Sequence, residues 1–189
     1  MFKFNGLTLA FALTTAVVTP AIIVPAAAEA ATQGAIEQHS QEALAKLYAD
    51  NPTAKAIGAK AKAILVFPSI VKAGLGVGGS FGEGELLEHG AVVRNYNSVS
   101  ATIGPQAGAQ DFGYVVFLMT DHAVKYLHES AGWEIGVGPT VVVVDAGVAR
   151  NLSTSTLKDD AYAFIFDQKG LMAGVALEGT KITKVNKKE

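Results

Sequence analysis

The sequence predicts an α+β protein, built on a strongly curved antiparallel β-sheet or barrel with N-terminal helices and one short inserted helix. Three observations support this class. Apolar residues recur at helical spacing only before residue 62 and again near residue 125, short apolar runs bounded by turn residues follow from residue 63 onward, and two segments alternate glycine with apolar residues. With 189 residues, 50% of them hydrophobic and 17% charged, the chain has enough apolar side chains for one folded domain.

Helical spacing predicts three helices. The first runs from Thr32 to Ala49, with its apolar residues on one face. Asn51 is placed to cap a second helix, about Pro52 to Lys62, because proline is favoured in a first turn. The inserted helix is predicted from Asp121 to Ser130, with Asp121 as its cap.

The remaining chain predicts β-strands. Ala63 to Phe67 is a short apolar run that we expect to be a buried strand closed by Pro68. The other predicted strands and turns are Glu85–Leu87 and Ala91–Tyr96 around a turn at Glu88-His89-Gly90, Ser98–Ile103 and Gly113–Met119 around a glycine-containing loop, Trp133–Val137, Thr140–Val144, Ala161–Asp167 and Leu171–Leu177 around a turn at Gln168-Lys169-Gly170, and Lys181–Val185.

Residues 72–84 and 169–179 are rich in glycine. In residues 72–84 the glycines recur mainly at every second position, which is a strand period, so one face of that strand lacks side chains. Such strands indicate places where another group approaches the backbone closely. We expect this close approach at Gly74, Gly76, Gly78, Gly79 and Gly174.

Residues 74–79 also match the dinucleotide pattern G-x-G-x-x-G. That pattern binds a pyrophosphate only where a helix begins directly after it. The following Ser80-Phe81-Gly82-Glu83-Gly84 cannot sustain a helix, and no G-K-[ST] sequence follows. The sequence therefore predicts no nucleotide and no other cofactor.

No residue pattern indicates catalysis or a metal site. The chain has no cysteine, no H-E-x-x-H and no G-x-S-x-G, and its histidines are dispersed at His39, His89, His122 and His128. Glu83 and Glu85 alternate on one strand, where a carboxylate pair is possible, but a solvent-facing edge is the commoner arrangement. We expect a protein that is not an enzyme and holds no metal.

The N-terminus resembles a cleavable export signal. Lys3 precedes an apolar run from Leu7 to Val18, and small residues then offer a cleavage site. The expected organisation is a signal peptide at 1–28 and a single domain at 29–189, exported to the periplasm; an uncleaved anchor is the alternative. The formal charge is −2, or −3 once Lys3 is removed, so no nucleic-acid partner is expected.

Several segments in order resemble the SYLF domain family, from about Ala54 to Ile182. They are residues 63–68, 72–84, 104–110, 115–119, 162–164 and 169–179, with Lys72-Ala73-Gly74 and Lys169-Gly170-Leu171-Met172-Ala173-Gly174 as the most characteristic. The chain departs from the family at Tyr96-Asn97-Ser98-Val99. The resemblance implies phospholipid binding, with phosphoinositides and actin as partners of eukaryotic members. An exported protein would meet neither of these two, so we carry over lipid or membrane binding only.

Basic residues are the candidate headgroup contacts. Lys55, Lys60, Lys62 and Lys72 form the densest basic cluster, and each cation near an anionic membrane is worth about 1 kcal/mol. Arg94 and Tyr96 share a strand face by period two, where they could contact a headgroup. An ordinary solvated helix face and a cross-strand ion pair are the respective alternatives.

These expectations combine into non-catalytic binding of phospholipid or a membrane surface. The alternative is a structural or protein-interaction module of the cell envelope without a lipid ligand. In that alternative the glycine faces pack on the protein itself or on a partner subunit, and Gly74, Gly76 and Gly78 lie buried against protein.

Overall fold

The computed structural model describes residues 33–144, 148, 152, 157–170, 176, 177 and 179–185. It confirms the predicted α+β class with a strongly curled sheet. The elements are α1 (Gln33–Asp50), α2 (Pro52–Gly58), β1 (Ala63–Glu88), β2 (Ala91–Leu118), α3 (Asp121–Glu129), β3 (Trp133–Glu134), β4 (Val141–Val143), β5 (Ala161–Gly170) and β6 (Lys181–Val185).

Strand β2 is the centre of the sheet. It pairs antiparallel with β1 from Ala63↔Leu118 to Glu88↔Ala91. It also pairs with β5 through residues 110–118 and with β6 through residues 95–99. Strand β4 is parallel to β5, and β3 is antiparallel to β6. Strands β1 and β2 therefore form most of the pairings in the sheet.

The turn between β1 and β2 is the predicted one. His89 has φ 53° and Gly90 has φ 83°, so both central residues are left-handed. Two left-handed residues define a type I′ turn, whose twist matches that of the flanking strands.

The predicted strand ends were wrong in three places. Pro68 does not close a strand, because a register shift between Phe67 and Ile70 lets β1 continue past a residue that cannot donate to the ladder. The loop predicted after Ile103 belongs to β2. Lys169 and Gly170 form no turn, since they pair with β2. The strand predicted at Leu171–Leu177 lies mostly outside the described residues, including Gly174.

The helix predictions are confirmed in position and corrected at two ends. Asn51 caps α2, with its Oδ1 accepting from the Ala54 amide at 2.9 Å. Helix α2 ends earlier than predicted, at Gly58. The cap of α3 is Thr120, whose extended backbone lets its hydroxyl accept from the Ala123 amide at 3.2 Å; Asp121 instead occupies the first turn.

Two apolar clusters lie on the two faces of the sheet. Helices α1 and α2 cover one face, in a cluster that includes Leu47, Ile57, Val66, Val115, Phe117 and Phe164. The other face carries α3 and the turn after it, with Leu65, Phe67, Leu86, Tyr96, Tyr114, Leu127 and Trp133 buried. Both faces of the sheet are therefore covered at β5, whose side chains enter both clusters.

Asp160 joins the start of α3 to the start of β4. Its carboxylate accepts from the Thr120 hydroxyl at 2.6 Å and from the Thr140 amide at 3.1 Å, with the His122 ring 3.3 Å away. The Thr120 hydrogen bond is the main cause that holds the pKa of Asp160 below its ordinary value. This carboxylate stabilises the fold in its ionised form.

Candidate functional site

The middle of the β1–β2 ribbon is the candidate site. In the described part of the chain, residues 73–80 of β1 and 100–109 of β2 pair only with each other. Residues opposite one another in an antiparallel pair lie on the same face. The register therefore sorts this ribbon into an inner and an outer face.

The inner face carries small residues. Its cross-strand pairs are Gly74↔Gly108, Gly78↔Thr102, Ser80↔Ser100, Gly82↔Ser98 and Gly84↔Tyr96. The Ser80 and Ser100 hydroxyls are 2.7 Å apart, and Ser98 accepts from the Tyr114 hydroxyl at 2.7 Å. Along β1, this face is buried from Ser80 to Gly84 and half-buried at Gly74 and Gly78.

The glycines of the inner face allow β1 to pack on itself. A Cβ on Gly84 would lie 2.5 Å from Phe67 Cδ1 and closer still to the Val66 carbonyl oxygen. A Cβ on Gly82 would collide with Ser69 and Ile70 in the same way. The second half of β1 thus lies directly against its first half, with no room for a side chain between them.

A sharp bend in β1 makes this packing possible. Gly76 is left-handed, with φ +72°, and a Cβ on Gly74 would lie 2.5 Å from Gly78 Cα. Because the chain closes on its inner side, the outer side of the ribbon is convex at this bend. Glycine is the residue that tolerates both the conformation and the contact.

The outer face is apolar and exposed. We call it the apolar ribbon face: Val71, Ala73, Leu75, Val77, Phe81, Val99, Ala101, Ile103, Ala107 and Ala109. The three side chains nearest the bend are the most exposed, with Leu75 at 83%, Val77 at 67% and Ile103 at 88%.

This face concentrates the exposed apolar residues of the protein. Among the residues the structure describes, eight large apolar side chains are exposed, and six of them belong to the apolar ribbon face. Contiguous exposed apolar surface of this kind is typical of a binding site for protein, lipid or membrane. The apolar ribbon face lies on the same side of the sheet as the face that α1 and α2 cover farther along β1 and β2. Apolar side chains are expected on that side, but in the ribbon they are exposed.

The predicted glycine positions are not equivalent. Gly74 is half-buried against Gly78, and a Cβ on Gly79 would lie 3.0 Å from the Ser100 carbonyl oxygen. Gly76 is exposed, with no heavy atom within 4 Å of a Cβ placed on it. Gly78 is half-buried. Where the approach is close, the approaching group is the protein's own backbone.

The predicted cations do not converge on one place. Lys62 Nζ lies 2.7 Å from both carboxylate oxygens of Asp121. Lys55 and Lys60 are exposed on and just after α2. Lys72 is half-buried opposite Gln110, ten residues farther along β1 than Lys62. The basic cluster of the sequence is thus divided: three lysines lie on α2 or between α2 and β1, and Lys72 lies farther along β1, which rises about 3.3 Å per residue.

Arg94 and Tyr96 occupy different environments. Tyr96 is 1% exposed, and desolvation raises its pKa to about 12. Arg94 is exposed beside the bulge between the Leu86↔Arg94 and Leu87↔Val92 pairs. The Tyr96 ring is a core residue and does not contribute to the surface of the protein.

The polar residues elsewhere form contacts within the fold. His128 Nε2 lies 2.6 Å from Glu88 Oε1, and no group of three or more potential ligands that could hold a metal occurs within the described ranges. Glu85 is fully buried, so the expectation of a solvent-facing edge there was wrong. No described helix is both long and apolar enough to cross a membrane.

A shallow polar cleft of about 290 Å³ separates α1 from the bulges in β1 and β5. An ion pair between Lys46 and Asp167 lies within it, and His39, Glu42 and Ser69 also line it. The Ser69 hydroxyl donates to the Asp111 carboxylate at 3.1 Å. Lys46 and Asp167 thus neutralise each other across the cleft, and Glu42 accepts from Gln38 within α1.

The apolar ribbon face was missed in the sequence. The alternation of Val71, Ala73, Leu75 and Val77 with glycine was visible, but it drew attention to the bare side. An alternating strand usually buries its apolar side. Here the sharp bend turns the glycine side inward, so the apolar side of the same strand is the more exposed one.

Comparison with known families agrees with the resemblance found in the sequence. The family model described as Ysc84, Las17-binding protein actin regulator, matches residues 99–189. This part of the chain is therefore similar to the Ysc84 (SYLF) family, a family of binding domains related to lipid and actin. No curated protein matches the chain significantly. The match includes residues 100–109 on the β2 side of the ribbon and begins after the end of β1.

Proposed function

We propose that this is a non-catalytic, exported protein that binds phospholipid or a membrane surface through the apolar ribbon face. The observation that carries the proposal is the exposure of Leu75, Val77 and Ile103 at the convex bend. The family relationship supports binding as the kind of function. Export to the periplasm after removal of residues 1–28 is part of the proposal.

The exposed side chains are sufficient for reversible attachment. Fully burying one large aliphatic side chain is worth about 1.5–3 kcal/mol, so the three at the bend together contribute on the order of 5 kcal/mol. That resembles the contribution of one myristoyl chain, which gives membrane binding that is weak and reversible. The predicted cations at Lys55, Lys60, Lys72 and Arg94 enter only as secondary contributions, since none of them belongs to the apolar ribbon face.

Vesicle flotation with matched valine variants tests this proposal. Val77 on the apolar ribbon face is 67% exposed, and Val137 in the turn after β3 is 55% exposed. Val77→Asp should weaken vesicle binding at least about tenfold, because a charge replaces a group that leaves water. Val137→Asp should bind like the unmodified protein.

Both variants must first show cooperative melting, which separates lost binding from lost folding. Equal binding by Val77→Asp, Val137→Asp and the unmodified domain would remove the ribbon from the site. Failure of the unmodified domain to float with any vesicle would refute lipid binding itself.

One observation favours the alternative, an envelope module without a lipid ligand: Gly82 and Gly84 pack on the chain's own β1. The glycines that this alternative names do not follow the same pattern, since Gly76 is exposed and Gly74 and Gly78 are half-buried. Native mass spectrometry of protein isolated from the envelope distinguishes the two. A stoichiometric protein partner that is lost in Val77→Asp, together with no vesicle binding, would favour the interaction module.

A further inference from the structure

We infer that the apolar ribbon face enters the hydrocarbon region of a bilayer at its convex bend, without requiring anionic headgroups. This inference rests on the proposed membrane binding and specifies its chemistry. It replaces headgroup recognition by lysines, which the sequence suggested, with contact between aliphatic side chains and acyl chains.

The shape of the ribbon favours insertion of the bend ahead of the rest of the domain. The bend at Gly76 makes Leu75, Val77 and Ile103 the leading side chains, and exposure falls to 57% at Val71 and 45% at Val99 away from it. A protruding apolar bend reaches past the headgroups before the rest of the domain meets the surface.

The distribution of charge favours contact of this face with acyl chains over contact with anionic headgroups. None of the ten side chains of the apolar ribbon face is charged or can form a hydrogen bond. Asp111, opposite Val71, and Glu83, one position beyond Phe81 on that face, are acidic, and the mature chain carries −3. The face itself therefore carries no cation for an anionic headgroup, and Lys72, between Val71 and Ala73, is half-buried on the other side of β1. A protein partner typically forms about one hydrogen bond per 100–200 Å² of interface, which these side chains cannot supply.

The backbone limits the depth of insertion. In hydrocarbon every backbone polar group needs a partner, so a two-stranded ribbon cannot pass deep into a bilayer. The acidic groups at Asp111 and Glu83 also mark where the face returns to water. Only the side chains at the bend therefore enter the acyl region, and the domain lies on the surface.

The absence of cysteine permits a site-specific test. Leu75→Cys and Val137→Cys are each labelled with an environment-sensitive dye in the mature domain. The vesicles are phosphatidylcholine alone, or phosphatidylcholine with phosphatidylglycerol. We expect a blue shift at position 75 with both vesicles, unchanged between about 0.05 and 0.5 M salt, where ionic screening rises steeply. Position 137 should show no shift.

A second labelled position on the ribbon tests whether the spectral shift is peculiar to residue 75. Ile103→Cys, on β2, should shift like Leu75→Cys because both flank the bend. Leu75→Asp should weaken partition into phosphatidylcholine vesicles at least about tenfold.

The outcomes separate the two proposals. Flotation without a shift at 75 and 103, or binding only to anionic vesicles that is lost at high salt, overturns this inference and leaves membrane binding intact. No flotation with any vesicle overturns both. A blue shift without vesicles that grows with protein concentration would show that a second copy covers the face, and would overturn the inference.

Discussion

Replacing Gly84 with alanine tests whether the inner glycine face is a packed contact. The added Cβ would lie 2.5 Å from Phe67 Cδ1 and nearer to the Val66 carbonyl oxygen. Real Cβ atoms essentially never approach other atoms closer than 3.0 Å, so the two halves of β1 must separate or shift. The colliding oxygen is backbone, which cannot rotate away as a side chain could.

The expected loss of unfolding free energy in Gly84→Ala follows from these short distances. Overpacking a tight core costs about 1–3 kcal/mol. For Gly84→Ala we expect a cost at the upper end of this range, because moving Phe67 also disturbs the stacking of its ring on Tyr114, whose centroid is 4.7 Å away. We expect a loss of about 3 kcal/mol, which for a domain of this size lowers Tm by about 6–12 °C.

The assay is urea unfolding of the mature domain, followed by circular dichroism and checked by thermal melting. Gly34→Ala is the matched control, since nothing lies within 4 Å of its Cβ and it is within α1. That change should be neutral or stabilising by up to about 1 kcal/mol. A Gly84→Ala variant within about 0.5 kcal/mol of the unmodified protein would show that the halves of β1 are not in contact, and would refute the reasoning.

Two further predictions concern local anchors. Asp160→Asn should destabilise the domain by about 1.5–3 kcal/mol near pH 7, because it weakens charge-assisted hydrogen bonds from Thr120 and Thr140. Since the folded pKa of Asp160 is lowered, its stabilisation is present above the unfolded value of about 3.9 and is lost as pH falls through the folded pKa. The gap between the two proteins in urea midpoints should therefore shrink below about pH 4, and a constant gap down to pH 2 would contradict this role. Asn51→Ala should cost about 1 kcal/mol by removing the α2 cap, whereas Asn51→Asp should retain most of the stability in the same unfolding assay.

Local signals in the sequence predicted the elements that depend on local interactions. The cap at Asn51 and the turn at His89-Gly90 were predicted because a side chain or a left-handed pair decides each within a few residues. Strand ends were predicted poorly. A proline or glycine indicates a turn by local preference, yet pairing along the whole of β2 held Pro68 and Gly170 within strands.

The sequence by itself determined the α+β class, the resemblance to the SYLF family and the absence of catalytic motifs, because periodicity and motifs are read along the chain. Only the tertiary structure decided which side of the glycine-rich ribbon faces out. The alternation of glycine with apolar residues assigns them to opposite faces of the strand, but it does not tell which of the two faces is buried. The sharp bend at Gly76, and the packing of Gly82 and Gly84 on the start of β1, turned the small residues inward and exposed Leu75, Val77 and Ile103. That outcome depends on contacts between residues more than ten positions apart, which no local pattern contains.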